Sequence, residues 1–189
     1  LSTVANNTAV GSGALDANTT GTPNTAVGKD ALGANQTGND NTAVGYQALT
    51  ANSSGIENTA LGTQAGFSNT TGNDNSFFGR RAGFSNTTGD RNLFIGRATG
   101  YYNTTASDNV WLGYYAGLGD STTLDKRSVI DTKTIFIGSL ASRDPSVAST
   151  TALTNSIAIG YNAKVSSSNS MVLGGVGSNA INVAIGTTS

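Results

Sequence analysis

The chain has 189 residues, a net charge of −1 and neither cysteine nor histidine, and Gly, Asn, Thr and Ser make up half of it. Charged residues contribute only 11%, well under the usual quarter, which excludes a basic nucleic-acid surface and a charge-extended disordered tail alike. Without His and Cys the chain has no means of building a His-based triad, a thiolate nucleophile, a Cys/His zinc site or a disulfide framework, so neither a cofactor nor a metal is expected.

Residues 1–118 carry an internal repeat that decides the fold. Asn7, Asn24, Asn41, Asn58, Asn75, Asn92 and Asn109 are spaced 17 apart, and four residues after each comes Gly11, Gly28, Gly45, Gly62, Gly79, Gly96 or Gly113. The same period governs Ala14, Ala31, Ala48, Ala65, Ala82 and Ala116, interrupted once by Thr99, and also Asn18, Asn35, Asn52, Asn69, Asn86 and Asn103. A unit such as NTAVGKDALGANQTGND holds a short β-type run, a Gly, a second apolar pair and a polar turn. Seven such units predict an all-β parallel β-solenoid with 17-residue coils. Helical repeats need about 33 residues or more, and Gly, Asn and Thr are disfavoured in helix interiors. Six steps at the strand spacing of about 4.8 Å give a rod of roughly 29 Å.

The constant residues have structural roles before any others. The Gly that closes N-T-A-V-G is expected to take a positive φ or to let a neighbouring backbone approach. Identical Asn residues on successive coils are expected to form hydrogen-bonded ladders that satisfy turn backbone groups. These ladders account for the N-x-S/T sequons at Asn18, Asn35, Asn52, Asn69, Asn86 and Asn103 without glycosylation. The Thr20, Thr37, Thr71, Thr88 and Thr105 row invites an ice-binding role, but it lies in Asn/Gly turn segments and is broken by Ser54. Asp40, Asp74, Asp90 and Asp108 lack the G-G-x-G-x-D pattern of calcium-loaded β-rolls and are expected to be turn residues.

The two positions before each Gly are always apolar. One column is Val10, Val27, Val44, Leu61, Phe78, Ile95 and Leu112; the other is Ala9, Ala26, Ala43, Ala60, Phe77, Phe94 and Trp111. Adjacent strand residues point to opposite faces, so one column fills the coil and the other makes an exposed apolar stripe. The second column is the expected trimer or core stripe, and a charge at Ala43 separates the two placements. Such a coil buries too little to stand alone, so lateral self-association is expected. From Phe77 onward the stripe turns aromatic while Gly66, Gly83, Gly100 and Gly117 replace Leu15, Leu32 and Leu49, which predicts a widened or repacked cross-section.

Residues 119–154 break the frame: Gly113 to Gly138 is 25 residues, and eight of the chain's 21 charges fall within 120–144. They are Asp120, Asp125, Lys126, Arg127, Asp131, Lys133, Arg143 and Asp144; a strand over Thr134 to Gly138 lies inside the segment, so the chain is expected to leave the coil, return for one strand and leave again. The segment is expected to be a loop or hairpin that clasps a neighbouring chain through ion pairs, or that binds a ligand. Solenoid pattern resumes in 155–189 with NSIAIG, NSMVLG and VAIG, the first two glycines being 14 residues apart.

The N-S-x-x-I/L-G units resemble the head repeats of YadA-type trimeric autotransporter adhesins. N-T-A-V-G-x-x-A-L resembles the longer variant in phage-type tail fibres and bacterial fibrous adhesins, including the mosaic adhesive trimers of predatory bacteria. The ending NVAIGTTS resembles the stretch that precedes an intramolecular chaperone domain in such fibres. This resemblance covers roughly 7–118 and 155–186. It implies a left-handed β-roll, a homotrimer, and an extracellular place on a bacterial surface or a virion fibre. No apolar run reaches the roughly 20 residues that span a bilayer, so direct membrane insertion is not expected of this segment. The chain starts inside a repeat, as a piece of a longer protein does.

The expected function is therefore non-catalytic attachment to a cell-surface glycan or protein, with a pure spacer as the alternative. A polysaccharide-cleaving tailspike needs two carboxylates about 5 to 9.5 Å apart, for which Asp120, Asp125, Asp131 and Asp144 are the candidates, none in a recognisable motif. Positions just after the repeat Gly vary freely and are expected to face solvent: Ser12, Lys29, Tyr46, Thr63, Arg80, Arg97, Tyr114 and Tyr161. In the later coils this row and its neighbours become Arg80, Arg81, Arg97, Tyr101, Tyr102, Tyr114 and Tyr115. Arg forks bind carboxylates or phosphates and Tyr rings stack on sugar faces, so these residues form the candidate ligand site for an acidic glycan. The structural alternative has the tyrosines packed under the insertion and the arginines paired with Asp120 or Asp125.

Overall fold

The structure, a computed structural model, describes residues 6–118, 130–147 and 151–175. Its strands are β1 (Thr8–Val10), β2 (Asn24–Val27), β3 (Asn41–Val44), β4 (Thr59–Leu61), β5 (Ser76–Phe78), β6 (Leu93–Ile95), β7 (Val110–Leu112), β8 (Ile135–Ile137), β9 (Ser142–Arg143), β10 (Ile157–Ile159), β11 (Lys164–Val165) and β12 (Met171–Leu173). Ten of them stack in parallel in the order β1-β2-β3-β4-β5-β6-β7-β8-β10-β12, and β9 pairs with β11 in a second, two-stranded sheet. The molecule is a parallel β-solenoid. Nine steps between ten strands make a stack about 43 Å long.

Register follows the repeat. Asn24 lies beside Asn41 and Ala26 beside Ala43, and every pairing from β1 to β7 advances by one 17-residue unit. The frame break is absorbed between strands rather than within them: Val110 pairs with Ile135, Ile135 with Ile157, and Ile157 with Met171. The strand expected inside the span 119–154 is β8, stacked between β7 and β10. Residues 130–147 form a coil of their own, and Thr132 bridges Thr154. Its Asp131 and Arg143 form an ion pair at 3.0 Å, both fully buried within the chain. Asp120, Asp125, Lys126 and Arg127 lie outside the described residues, as does the VAIG unit at 183–186.

Two Asn ladders brace the coil interior. In the strand ladder, Asn75 Nδ2 donates to Asn58 Oδ1 at 3.0 Å and to the Gly89 carbonyl at 2.8 Å. In the turn ladder, Asn86 Nδ2 donates to Asn69 Oδ1 at 2.8 Å and to the same Gly89 carbonyl at 3.0 Å. Both ladders therefore close on one carbonyl per coil, and the same convergence recurs at Gly38, Gly55 and Gly72. A Cβ at Gly38 would sit 2.5 Å from Asn35 Oδ1 and 2.9 Å from Asn52 Nδ2, which explains the glycine. The corner glycine after each strand does both things expected of it: Gly79 has φ +133°, and its Cβ would meet the Gly96 carbonyl oxygen at 2.6 Å.

The placement of the apolar columns is now defined. Ala26, Ala43, Ala60, Phe77, Phe94 and Trp111 are fully buried inside the single coil, and Ala9 at the first coil is half-buried. They are the core, not a stripe left bare for a partner chain. The alternate column is the outward one, with Val10 57% and Leu61 48% exposed. The cross-section repacks rather than widens: Gly83 and Gly100 have φ near +60°, and a Cβ there would lie 2.5 Å from the ring of Phe77 or Phe94. Large rings thus occupy the space that Leu15, Leu32 and Leu49 fill earlier. The rings stack from Phe77 through Phe94 and Trp111 to Phe136 at centroid spacings of 5.5, 4.6 and 5.3 Å. Thr134 takes the place of the ladder Asn in the next coil and accepts the Trp111 indole N–H at 2.8 Å.

Candidate functional site: an arginine and tyrosine recess

All eight variable positions after the repeat Gly are exposed, from Ser12 to Tyr161. Where this row meets the column one residue on, the surface sinks into a recess of about 510 Å³. It is lined by Arg80, Arg81, Arg97, Tyr101, Tyr102, Tyr114 and Tyr115, the seven residues singled out from sequence, together with Ala98, Leu118 and Leu140.

Its floor has a specific origin. From the coil of β2 to that of β8, the second position after the Gly is a left-handed corner occupied by Asp30, Gln47, Gln64, Arg81, Ala98, Tyr115 and Leu140, with φ between 54° and 62°. Six of these carry long or branched side chains. Ala98, buried to 4% exposure, stops at Cβ between Arg81 and Tyr115 and leaves the gap. Sequence reasoning missed it, although the signal was present as one small residue in a column that is larger elsewhere from Asp30 to Leu140.

The walls are held in place by the stacked coils. Gln64 Nε2 donates to Gln47 Oε1 at 3.1 Å, and Arg81 Nε donates to Gln64 Oε1 at 3.0 Å, so Arg81 ends a short polar ladder. Its guanidinium also lies 5.6 Å above the Phe84 ring. Phe67, Phe84 and Tyr101 stack nearly face to face at 5.0 and 4.9 Å, carrying an aromatic ladder into the recess. Arg97 Nη1 donates to Tyr114 Oη at 3.1 Å, and its guanidinium sits 5.4 Å from the Tyr114 centroid and 5.7 Å from that of Tyr115. Tyr101–Tyr102 and Tyr114–Tyr115 are edge-to-face pairs at 4.6 and 4.3 Å.

Charge is unevenly distributed. Among the described residues, Arg91 pairs with Asp108 at 2.6 Å and Arg143 with Asp131, whereas no carboxylate of the described residues lies within 4.0 Å of Arg80, Arg81 or Arg97. The proposed partners Asp120 and Asp125 fall outside the described residues. Arg91 holds the Asp108 carboxyl below its ordinary range through a side-chain hydrogen bond, and Asp108 in turn raises Arg91.

The remaining sequence candidates that fall among the described residues sit at corners or have backbone or side-chain partners. Asp40, Asp74 and Asp108 sit at left-handed corners, and Asp90 Oδ1 accepts the Asn73 N–H at 2.7 Å. Of the tailspike carboxylates, Asp131 is fully buried against Arg143 and accepts the Leu153 N–H, and Asp144 accepts the Ser146 N–H within its own turn. The described residues contain no group of three or more His, Cys, Asp or Glu placed to hold a metal ion, and no helix long and apolar enough to cross a membrane. No known family model, curated protein or solved structure matches the chain.

Proposed function

We propose that the chain is a non-catalytic segment of a trimeric fibre, displayed extracellularly on a cell surface or a virion, that attaches to a surface ligand through the arginine and tyrosine recess. The reading joins the resemblance to YadA-type heads and tail-fibre repeats with one structural observation: the outer face of the ten-stranded sheet. Two columns point outward there. One is apolar throughout, from Val10 to Leu173, and the other changes from Thr8, Thr25, Thr42 and Thr59 to Leu93, Val110, Ile135, Ile157 and Met171. From β6 onward the face carries apolar side chains at both outward positions of every strand, and Ile95, Ile137, Met171 and Leu173 are exposed. A continuous apolar face of this kind is what association covers, and three copies about an axis parallel to the stack cover it in each chain alike.

Sedimentation equilibrium tests the assembly. A trimer is expected across the micromolar range; a parent chain that sediments as a monomer throughout that range would overturn it. Ile95→Asp combined with Ile137→Asp is expected to lower the trimer fraction while the circular dichroism of any monomer stays β-rich. Binding of the purified chain to intact cells then separates attachment from a purely structural spacer, for which the recess would have no role.

A further inference from the structure

The recess is the one place in the described residues where three features coincide: a small residue flanked in its column by Arg81 and Tyr115, guanidiniums without carboxylate partners among the described residues, and clustered tyrosines. Arg80 and Arg97 occupy equivalent positions on successive coils, so their backbones lie about 4.8 Å apart and their like charges oppose one another. Stability alone gives no reason for that arrangement. The same column holds Thr63 in the coil before and Tyr114 in the coil after, so neutral residues fit it without strain. Both flanking guanidiniums are anchored by one nitrogen, Arg81 through Gln64 and Arg97 through Tyr114, leaving other N–H donors for an acceptor from outside.

We infer that the recess binds one anionic sugar residue of a surface glycan, with its carboxylate or phosphate across Arg80 and Arg97 and its ring against Tyr114. This rests on the attachment reading and names its ligand class. A volume of about 510 Å³ exceeds what a bare inorganic anion fills and lies in the range that holds a small organic ligand. Fork-shaped guanidinium donors match the planar carboxylate and the phosphate oxygens. Tyr114, 44% exposed, offers an apolar ring with a polar tip, which suits the C–H face and hydroxyls of a pyranose. A nucleic acid fits poorly. It requires a tract of cations along its backbone, whereas this chain has a net charge of −1 and only 10 Lys and Arg in 189 residues.

Titration calorimetry of the full chain tests this with galacturonate oligosaccharides, their carboxyl-reduced neutral counterparts, a hexose phosphate, inorganic phosphate and a DNA duplex. Carboxylated or phosphorylated sugar is expected to bind at least about tenfold more tightly than the neutral oligosaccharide and to weaken as salt rises. The carboxylate and phosphate arms tell the two anion sources apart. Ala98→Gln, which restores the residue type found at Gln47 and Gln64, fills the floor and is expected to abolish sugar binding while leaving the melting temperature unchanged. Arg80→Ala with Arg97→Ala is expected to remove the preference for the anion. Equal binding of neutral and anionic sugars, binding that survives Ala98→Gln, or equally tight binding of inorganic phosphate or DNA would each overturn the assignment. If every sugar fails while the chain still binds intact cells, the ligand class is wrong and attachment stands; if cells fail too, the attachment reading falls with it.

Discussion

A buried amide that both donates and accepts along the stack does the work that a disulfide does in other small repeats. Asn75 shows how much depends on one such group: Asn92 N–H and Asn92 Nδ2 both donate to its Oδ1, at 3.0 and 3.1 Å. Asn75→Ala leaves those donors buried without an acceptor, and the expected loss is about 3 kcal/mol in chemical denaturation, several times the cost of a surface change. The exposed Arg91–Asp108 pair behaves differently. Asp108 titrates below its ordinary value, so its contribution to folding is complete above the ordinary carboxylate range and disappears as pH falls through the lowered value. Melting curves of Asp108→Asn and the parent chain should therefore differ slightly near neutral pH and converge in acid. A gap that persists in acid would mean that the contact acts through shape rather than charge. Both residues were legible as turn or ladder positions from spacing alone. What spacing could not supply was the second ladder's destination, because convergence on Gly89 depends on how far the coil turns between Asn75 and Asn86.

At the level of the strand, two adjacent apolar residues look alike in sequence and differ completely in consequence. Ala43 is enclosed by its own coil, so Ala43→Asp is expected to prevent folding outright, with loss of the β-sheet signal. Ile95→Asp on the outward column should instead leave the fold intact and act on association. Comparing secondary structure with sedimentation mass for these two variants checks the assignment of the columns; a folded monomer from Ala43→Asp would reverse it. Alternation alone made the existence of the two faces legible but not their order, because alanine suits a narrow core and a close interface equally well. The aromatic half was informative for a related reason. Phe77, Phe94 and Trp111 coincide with Gly83, Gly100 and Gly117, and ring volume can be traded against a missing side chain only when both point into the same space. The coil at 130–147 was least legible, since its register depends on a buried Asp131–Arg143 pair that reads in sequence as ordinary surface charge.

Across the whole molecule, the recess sits where the rod changes character, at the onset of the aromatic core and beside the first broken register. That position has a physical basis. Strict repetition gives successive coils similar surfaces, and the recess lies where one column departs from its immediate neighbours, at Ala98. Seven of the residues lining it were identifiable because free variation in a strict repeat marks side chains that packing does not dictate; Ala98, Leu118 and Leu140 were not, since they act by shape rather than chemistry. In a threefold assembly the recess would be presented three times, and attachment to a polyvalent surface would exceed single-site affinity by far. Immobilising the glycan at high and low density should then change the dissociation rate of the trimer much more than that of a recess-bearing monomer variant.

The strands run across the stack, so tension applied to one end acts on a single coil's contacts at a time and unthreads them in turn. Each unthreading event releases the residues of one register step, and those steps are set by the strand pairs. From the C-terminal side, Ile157 to Met171 yields a gain in length of about 43 Å, Ile135 to Ile157 about 70 Å and Val110 to Ile135 about 80 Å. The repeats from β7 back to β1 then give a run of equal gains near 55 Å. Optical-trap extension of a single chain should trace short, long, longest and then a regular ladder, and one undivided rip would show that the coils yield together. A chain of this construction lengthens under load while the residues that line the recess keep their places until the pull reaches the coil of β8, which carries Leu140.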